Sequence, residues 1–161
     1  MNDKLIKEYL KKLSIEFKIH KHPPIYTCEE GERFRKSLKG MHAKSLFLKG
    51  KKSGNLYLIV LPCKKTINMI KLKETLSEKK LSFANETELF DFLKVKTGSI
   101  SPFALINDKN KKIKVILDRE VYDDKIVNFH PNINTETLEL SQESFRKYLD
   151  SLENEVNVIE I

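Results

Sequence analysis

Lys44 opens the run Lys44-Ser45-Leu46-Phe47-Leu48. On an alternating strand it shares a face with Leu46 and Leu48, and a lysine on an apolar face is unusual. It either snorkels from the strand end or holds its ammonium at the rim of a cavity. His130 follows the apolar Val127 and Phe129 and precedes Pro131-Asn132. A histidine locked by a following proline either points into a pocket or serves as a structural turn residue. Between these two, Gly98-Ser99-Ile100-Ser101-Pro102 forms a short bend. It lacks the Lys-Ser/Thr ending of a phosphate loop and the second glycine of a nucleophile elbow, so Ser99 and Ser101 read as turn hydroxyls. His20 and His22 have the spacing of a strand-borne metal pair, but no third ligand follows at clear spacing. His22 before Pro23 reads as a turn residue, and His42 as a strand-entry residue without a visible partner. Cys28 and Cys63 form no zinc or CxxC spacing and read as separate thiols in a reducing compartment.

The elements that must position these residues follow from periodicity. Leu5, Ile6, Tyr9, Leu10 and Leu13 recur at helical spacing over residues 2–13. Residues 17–20 read as a short strand, and His22-Pro23-Pro24 cannot be helical. Thr27 with Glu30 is a capping box for a helix to about Leu38, ended by Gly40. Residues 43–49 and 55–61 read as a hairpin around the turn 50–54. Residues 65–76 have helical spacing, and 81–84 is a strand. Asn85 with Glu88 caps a helix to about Lys94. Residues 103–106 and 113–117 read as strands joined by a polar turn at 107–110. Further short strands fall at 125–129 and 137–140, Ser141 caps a helix, and 156–161 closes the chain as a strand. Hairpins among interleaved helices predict a mixed or antiparallel sheet and argue against a doubly wound parallel one.

The chain has 161 residues, 40% hydrophobic and 33% charged. That predicts one domain over 1–161, with a core large enough to need neither disulfide nor metal. No run of 18 apolar residues occurs, and the N-terminal stretch lacks an apolar secretory region, so the expectation is a protein that stays where it is made. The net charge of +7 is uneven: residues 1–80 carry +12 and residues 81–161 carry −5. The first half would attract phosphates. The other reading is a compositional lysine bias, since only four of the 30 basic residues are arginine. The aromatic residues fall mostly at core spacing, so no base-stacking platform is evident.

Several pieces, in order, carry a family resemblance: His22-Pro23 with Thr27-x-Glu29-Glu30; Lys44-Ser-Leu-Phe-Leu48; Tyr57-Leu-Ile-Val-Leu-Pro62; Leu81-Ser-Phe-Ala84; Gly98 through Asp108; and Phe129-His-Pro-Asn132 with Asn134 and Thr135-x-Thr137. The sequence resembles the free-standing YbaK/ProX-type aminoacyl-tRNA deacylases, relatives of the editing domain of prolyl-tRNA synthetase. The long Ser-Pro-Phe-Ala-Leu-Ile-Asn-Asp run is most similar to the ProX-like branch. The resemblance implies a mixed α/β fold with a central, partly barrel-like sheet and flanking helices. It implies hydrolysis of the ester joining a wrong amino acid to the terminal adenosine of tRNA, without protein nucleophile, metal or cofactor. The implied substrate is alanyl-tRNA(Pro), with cysteinyl-tRNA(Pro) the alternative and a non-catalytic tRNA- or synthetase-binding adaptor the rival reading. Implied partners are mischarged tRNA(Pro) and, second, prolyl-tRNA synthetase, with no membrane and no DNA, in the cytoplasm. By the same resemblance Lys44, Gly98 and Pro102 are catalytic. Ser99, Ile100, Ser101 and His130 bind substrate, and Ile25 and Leu46 join His130 as pocket walls. Lys36, Lys39, Lys49, Lys51 and Lys52 flank the active strand and are candidates for acceptor-stem phosphates.

Overall fold

The computed structural model describes residues 2–161. The first helix, α1 (Asn2–Lys12), buries Ile6 and Leu10, one turn apart, in the main core. Strand β1 (Lys18–Lys21) follows. The His-Pro-Pro segment then crosses to the loop at 134–135, where His22 donates its backbone N–H to the Thr135 carbonyl and Ile25 to that of Asn134, each at 3.0 Å. Helix α2 (Cys28–Arg35) starts where Thr27 Oγ1 accepts the Glu30 N–H. The Glu30 carboxylate reaches back to the Tyr26 N–H at 2.9 Å, one residue earlier than a capping box requires. The helix ends three residues short of Leu38. Gly40 then turns the chain at φ +87°, where a side chain would place its Cβ 2.3 Å from the Ile126 carbonyl oxygen.

Strands β2 (Met41–Gly50) and β3 (Leu56–Pro62) form the expected hairpin. The buried Glu78 carboxylate anchors its turn by accepting from Tyr57 Oη at 2.6 Å and from Ser53 and Asn55. Helix α3 (Met69–Thr75) begins later than the spacing at 65–76 predicts, because Asn68 Oδ1 accepts the N–H groups of Ile70 and Lys71 and fixes the cap there. Strand β4 (Leu81–Phe83) runs into helix α4 (Glu86–Leu93), whose Asn85–Glu88 capping box is complete. Next come β5 (Ile113–Asp118), the unanticipated short helix α5 (Arg119–Asp123), β6 (Ile126–Phe129), β7 (Glu136–Ser141), α6 (Gln142–Leu152) and β8 (Val156–Ile159).

One expected strand is corrected. Residues 103–106 lie in a 3₁₀ helix, Pro102–Asn107. Ser101 Oγ accepts the Phe103 N–H, Pro102 occupies the first helical position, and Tyr148 Oη donates to the Pro102 carbonyl at 2.8 Å. A short buried apolar run carries no period to separate helix from strand. The hairpin expected with β5 therefore does not form, and β5 pairs in parallel with β3 and β8.

The sheet is mixed, in the order β1-β7-β6-β2-β3-β5-β8, with β4 also on β2. Strand β2 pairs along its length with β3 on one edge. On the other edge it pairs only at its ends: Met41 and His42 with β6, and Leu48 to Gly50 with β4. The main core lies on one face, with α1, α4 and α6, and a smaller cluster around Leu72 of α3 on the other.

The two cysteines are joined in a disulfide, which corrects their reading as separate thiols. The start of α2 lies across the end of β3, so residues 35 apart in sequence come to a Cα–Cα distance of 5.7 Å. Closing a loop of that length constrains the unfolded chain by about 3–4 kcal/mol. Denaturant unfolding with and without a dithiol reductant should show a loss of that order, and an unchanged midpoint would mean the bridge contributes nothing to stability.

Candidate active site

The interrupted edge of β2 opens onto a cavity of about 670 Å³. Ala43 to Phe47 form its floor, and His42 lies at one end. Ile25 to Cys28 and α2 supply one wall, and Phe83 to Glu86 another. Thr97, Gly98 and Ile100 reach it from the loop, and Asn128 to His130 from β6.

Lys44 and the Gly98 bend therefore meet at one cavity. The Lys44 ammonium makes no ion pair or side-chain hydrogen bond among the described residues. Gly98 has φ +85° with open space around its Cα. Ile25, Leu46, Ile100 and His130 also line the cavity. Ser99, Ser101 and Pro102 stand behind it. Ser101 Oγ donates to Asn132 Oδ1 at 2.7 Å while capping the 3₁₀ helix, so its hydroxyl is committed to structure. The Ser99 N–H is committed to the Lys96 carbonyl, which leaves those of Gly98 and Ile100, both cavity-lining residues, as candidates for an oxyanion. Of the five lysines placed on the acceptor stem, Lys36, Lys39, Lys51 and Lys52 are exposed, while Lys49 is paired with Glu88.

Sequence reasoning did not assign His42, Asn128 or Arg35 to this site. His42 sits two residues before Lys44 on the same strand, and that spacing was the signal. Its Nε2 is buried without a partner among the described residues, as are His130 Nδ1 and Asn128 Oδ1. Asn128 is only 1% exposed, and its Nδ2 is taken by the Lys39 and Met41 carbonyls, so Oδ1 is the end left over. Buried orphaned polar atoms call for a partner, here a ligand or water. Arg35, also unsingled by sequence, lies along the wall. Its guanidinium rests over Gly31, where a Cβ would come within 3.2 Å of it. His22 bonds Thr137 Oγ1 and stacks on Phe34, and His20 bonds Glu139, so neither belongs to a metal pair.

Burial dominates the electrostatics of the two cavity histidines. It lowers His42 to about 4, helped by the charges of Arg35, His20 and His22. It lowers His130 to about 4 as well, against an opposing backbone hydrogen bond with Ile100. Both imidazoles are neutral at pH 7. As pH falls, the unfolded chain takes up their protons first, near 6.5. Their contribution to stability is thus complete above about 6.5 and is lost as pH falls towards 4. Melting temperatures of His42→Gln and His130→Gln should fall less steeply than wild type across that window, and parallel curves would exclude these two rings as the source.

A family model described as an aminoacyl-tRNA editing domain matches residues 22–148. The chain is 33% identical to the prolyl-tRNA editing protein ProX of Acetoanaerobium sticklandii over 152 residues, 94% of this chain and 93% of that protein. It is 35% identical to the prolyl-tRNA synthetase associated domain-containing protein 1 of Mus musculus, over 87% of this chain and 85% of that one. A crystal structure described as a candidate trans-editing enzyme for prolyl tRNA synthetase superposes with a TM-score of 0.77 at 15% identity, covering 99% of this chain and 95% of that one. That likeness extends to the fold.

Proposed function

The chain belongs to the aminoacyl-tRNA editing domain family of ester hydrolases, and on that premise we propose that it acts as one trans-editing domain that clears alanyl-tRNA(Pro). The observation that carries this reading is an unpaired lysine ammonium and a glycine bend lining the same cavity. An aminoacyl ester is already activated, so holding its carbonyl beside a water and stabilising the oxyanion supplies most of the acceleration. Water attacks the carbonyl carbon, the bond to the ribose oxygen breaks, and the ribose hydroxyl leaves with a proton. The N–H groups of Gly98 and Ile100 receive the oxyanion. Lys44 supplies positive charge to it or to the adjoining phosphate, and Pro102 stiffens the loop from behind. Asn128 Oδ1 and the neutral imidazole of His130 are acceptors suited to the substrate's α-ammonium. Ile25, Leu46 and His130 form a wall that admits alanine and excludes the larger proline ring. Attraction alone discriminates a methylene by only about 1–3 kcal/mol, so exclusion has to be steric.

A deacylation panel of alanyl-, cysteinyl-, seryl- and prolyl-tRNA(Pro) tests the reading. Alanyl-tRNA should be cleared and prolyl-tRNA spared. Lys44→Ala should lower kcat/KM about 10²–10³-fold with the fold intact, the scale of losing one oxyanion donor. Full turnover by that variant would remove Lys44 from the mechanism, and preference for cysteinyl-tRNA would reassign the substrate.

The exposed lysines are assigned to acceptor-stem phosphates. The logarithm of binding should fall linearly with that of salt concentration, by about 0.7–0.9 per phosphate contact. Lys51→Ala with Lys52→Ala should flatten the slope by nearly two such increments, whereas Lys49→Ala, already paired, should leave it unchanged. Equal slopes throughout would return these lysines to composition.

A further inference from the structure

Two of the largest exposed apolar side chains lie on the rim of the cavity. Phe83 is 57% exposed and Tyr26 is 72% exposed, and both line it. Neither ring stacks on another ring or carries a cation among the described residues, and neither joins a core cluster. Yet the backbone beneath each is fixed. Phe83 ends β4 opposite Leu48, and the next residue, Ala84, donates its N–H to the Phe47 carbonyl at 2.9 Å. Tyr26 is held by the Glu30 carboxylate at its N–H. Packing thus explains where the backbone lies but not why aromatic rings are left in water there.

Charge supplies the direction. Strand β4 begins beside exposed Lys79 and Lys80, and the Lys80 carbonyl accepts the N–H of Lys51 in the β2–β3 turn. A basic cluster of Lys51, Lys52, Lys79 and Lys80 therefore lies at the start of a strand whose far end, about 10 Å on, is Phe83. A path leads from cations suited to phosphates, past an exposed ring, to the cavity where the ester must sit.

We propose that Phe83 and Tyr26 are stacking platforms for the unpaired bases at the 3′ end of the tRNA, positioning the ester over Lys44. Stacking tolerates any base, because every base has a π face, and it suits a single-stranded end. The sequence shows no evident platform because most of its aromatic residues fall at core spacing, and only the fold reveals that Phe83 and Tyr26 are left outside.

The inference rests on the proposed deacylase reading, and the test separates the two. A deacylated tRNA(Pro) with 2-aminopurine replacing its terminal adenine, or the base before it, reports stacking by fluorescence quenching. Wild type should quench at one or both positions. Phe83→Leu and Tyr26→Leu should each lose quenching at one position and raise KM about tenfold, with kcat little changed. Phe83→Trp and Tyr26→Phe should restore both readouts, and melting temperatures should hold because the rings are exposed. An alanyl ester of a simple alcohol, which has no base, should be hydrolysed equally by all four variants. Absence of quenching with wild type, or leucine variants that bind and quench as wild type does, overturns the proposal while deacylation stands. A wild type that deacylates nothing but still quenches would instead overturn the deacylase reading.

Discussion

The site depends on one incomplete strand edge. β2 is zipped to β3 throughout, but its other edge is shared between β6 at one end and β4 at the other. The hydrogen bonds that are placed, Cys63 N–H to the His42 carbonyl, Gly50 N–H to that of Asn55 and Ala84 N–H to that of Phe47, fix the alternation. Even-numbered residues of β2 bond to β3, and odd-numbered ones point to the other edge. The Ser45 amide and carbonyl thus face the gap, where no strand meets them. Backbone polar groups seek partners wherever they lie. An interruption in the middle of a sheet leaves backbone donors and acceptors open to water or a ligand, and here it coincides with Lys44.

Electrostatics sharpen the same arrangement. Two imidazoles at the cavity stay neutral because burial disfavours their charged form, while Lys44 and Arg35 bring positive charge from different elements. Neutral rings do not compete with the lysine for developing negative charge, and they retain a lone pair for a donor on the substrate. The cavity thus offers both acceptors and cations, which suits a zwitterion-like substrate: an α-ammonium at one end and an oxyanion or phosphate at the other.

Much of this was legible from residue types, and what was not has a physical cause. Lys44 stood out because a lysine breaks an apolar face, whereas Gly98 read only as a turn and became a site candidate through the family resemblance. The caps at Thr27, Asn85 and Ser141 were readable because a side-chain acceptor three residues before an amide is a local event. Phe103 to Ile106 misled because a short, largely buried apolar run has no polar face to mark its period. The Cys28–Cys63 pairing was hidden because it depends on where α2 crosses β3, a tertiary fact. The short helix α5 escaped for a different reason: five residues are too few to show a repeat. Asn128 and Arg35 look like ordinary surface residues until the fold turns one inward and lays the other along a wall.

The proposed exclusion of proline requires a wall that does not yield, and α2 is a poor candidate on packing alone. None of its eight residues belongs to either core cluster, and only Gly31 among them is buried. Its firmness comes from its ends and flanks: the disulfide to Cys63 just after β3, the stack of Phe34 on His22, and the two backbone bonds that tie the preceding loop to Asn134 and Thr135 just before β7. His22 in turn is pinned by Thr137. The histidine that sequence reasoning set aside as a turn residue is therefore part of the brace behind the wall. A few specific ties do for α2 what a hydrophobic core does for α1 and α6, and they leave its inner face free to line the cavity.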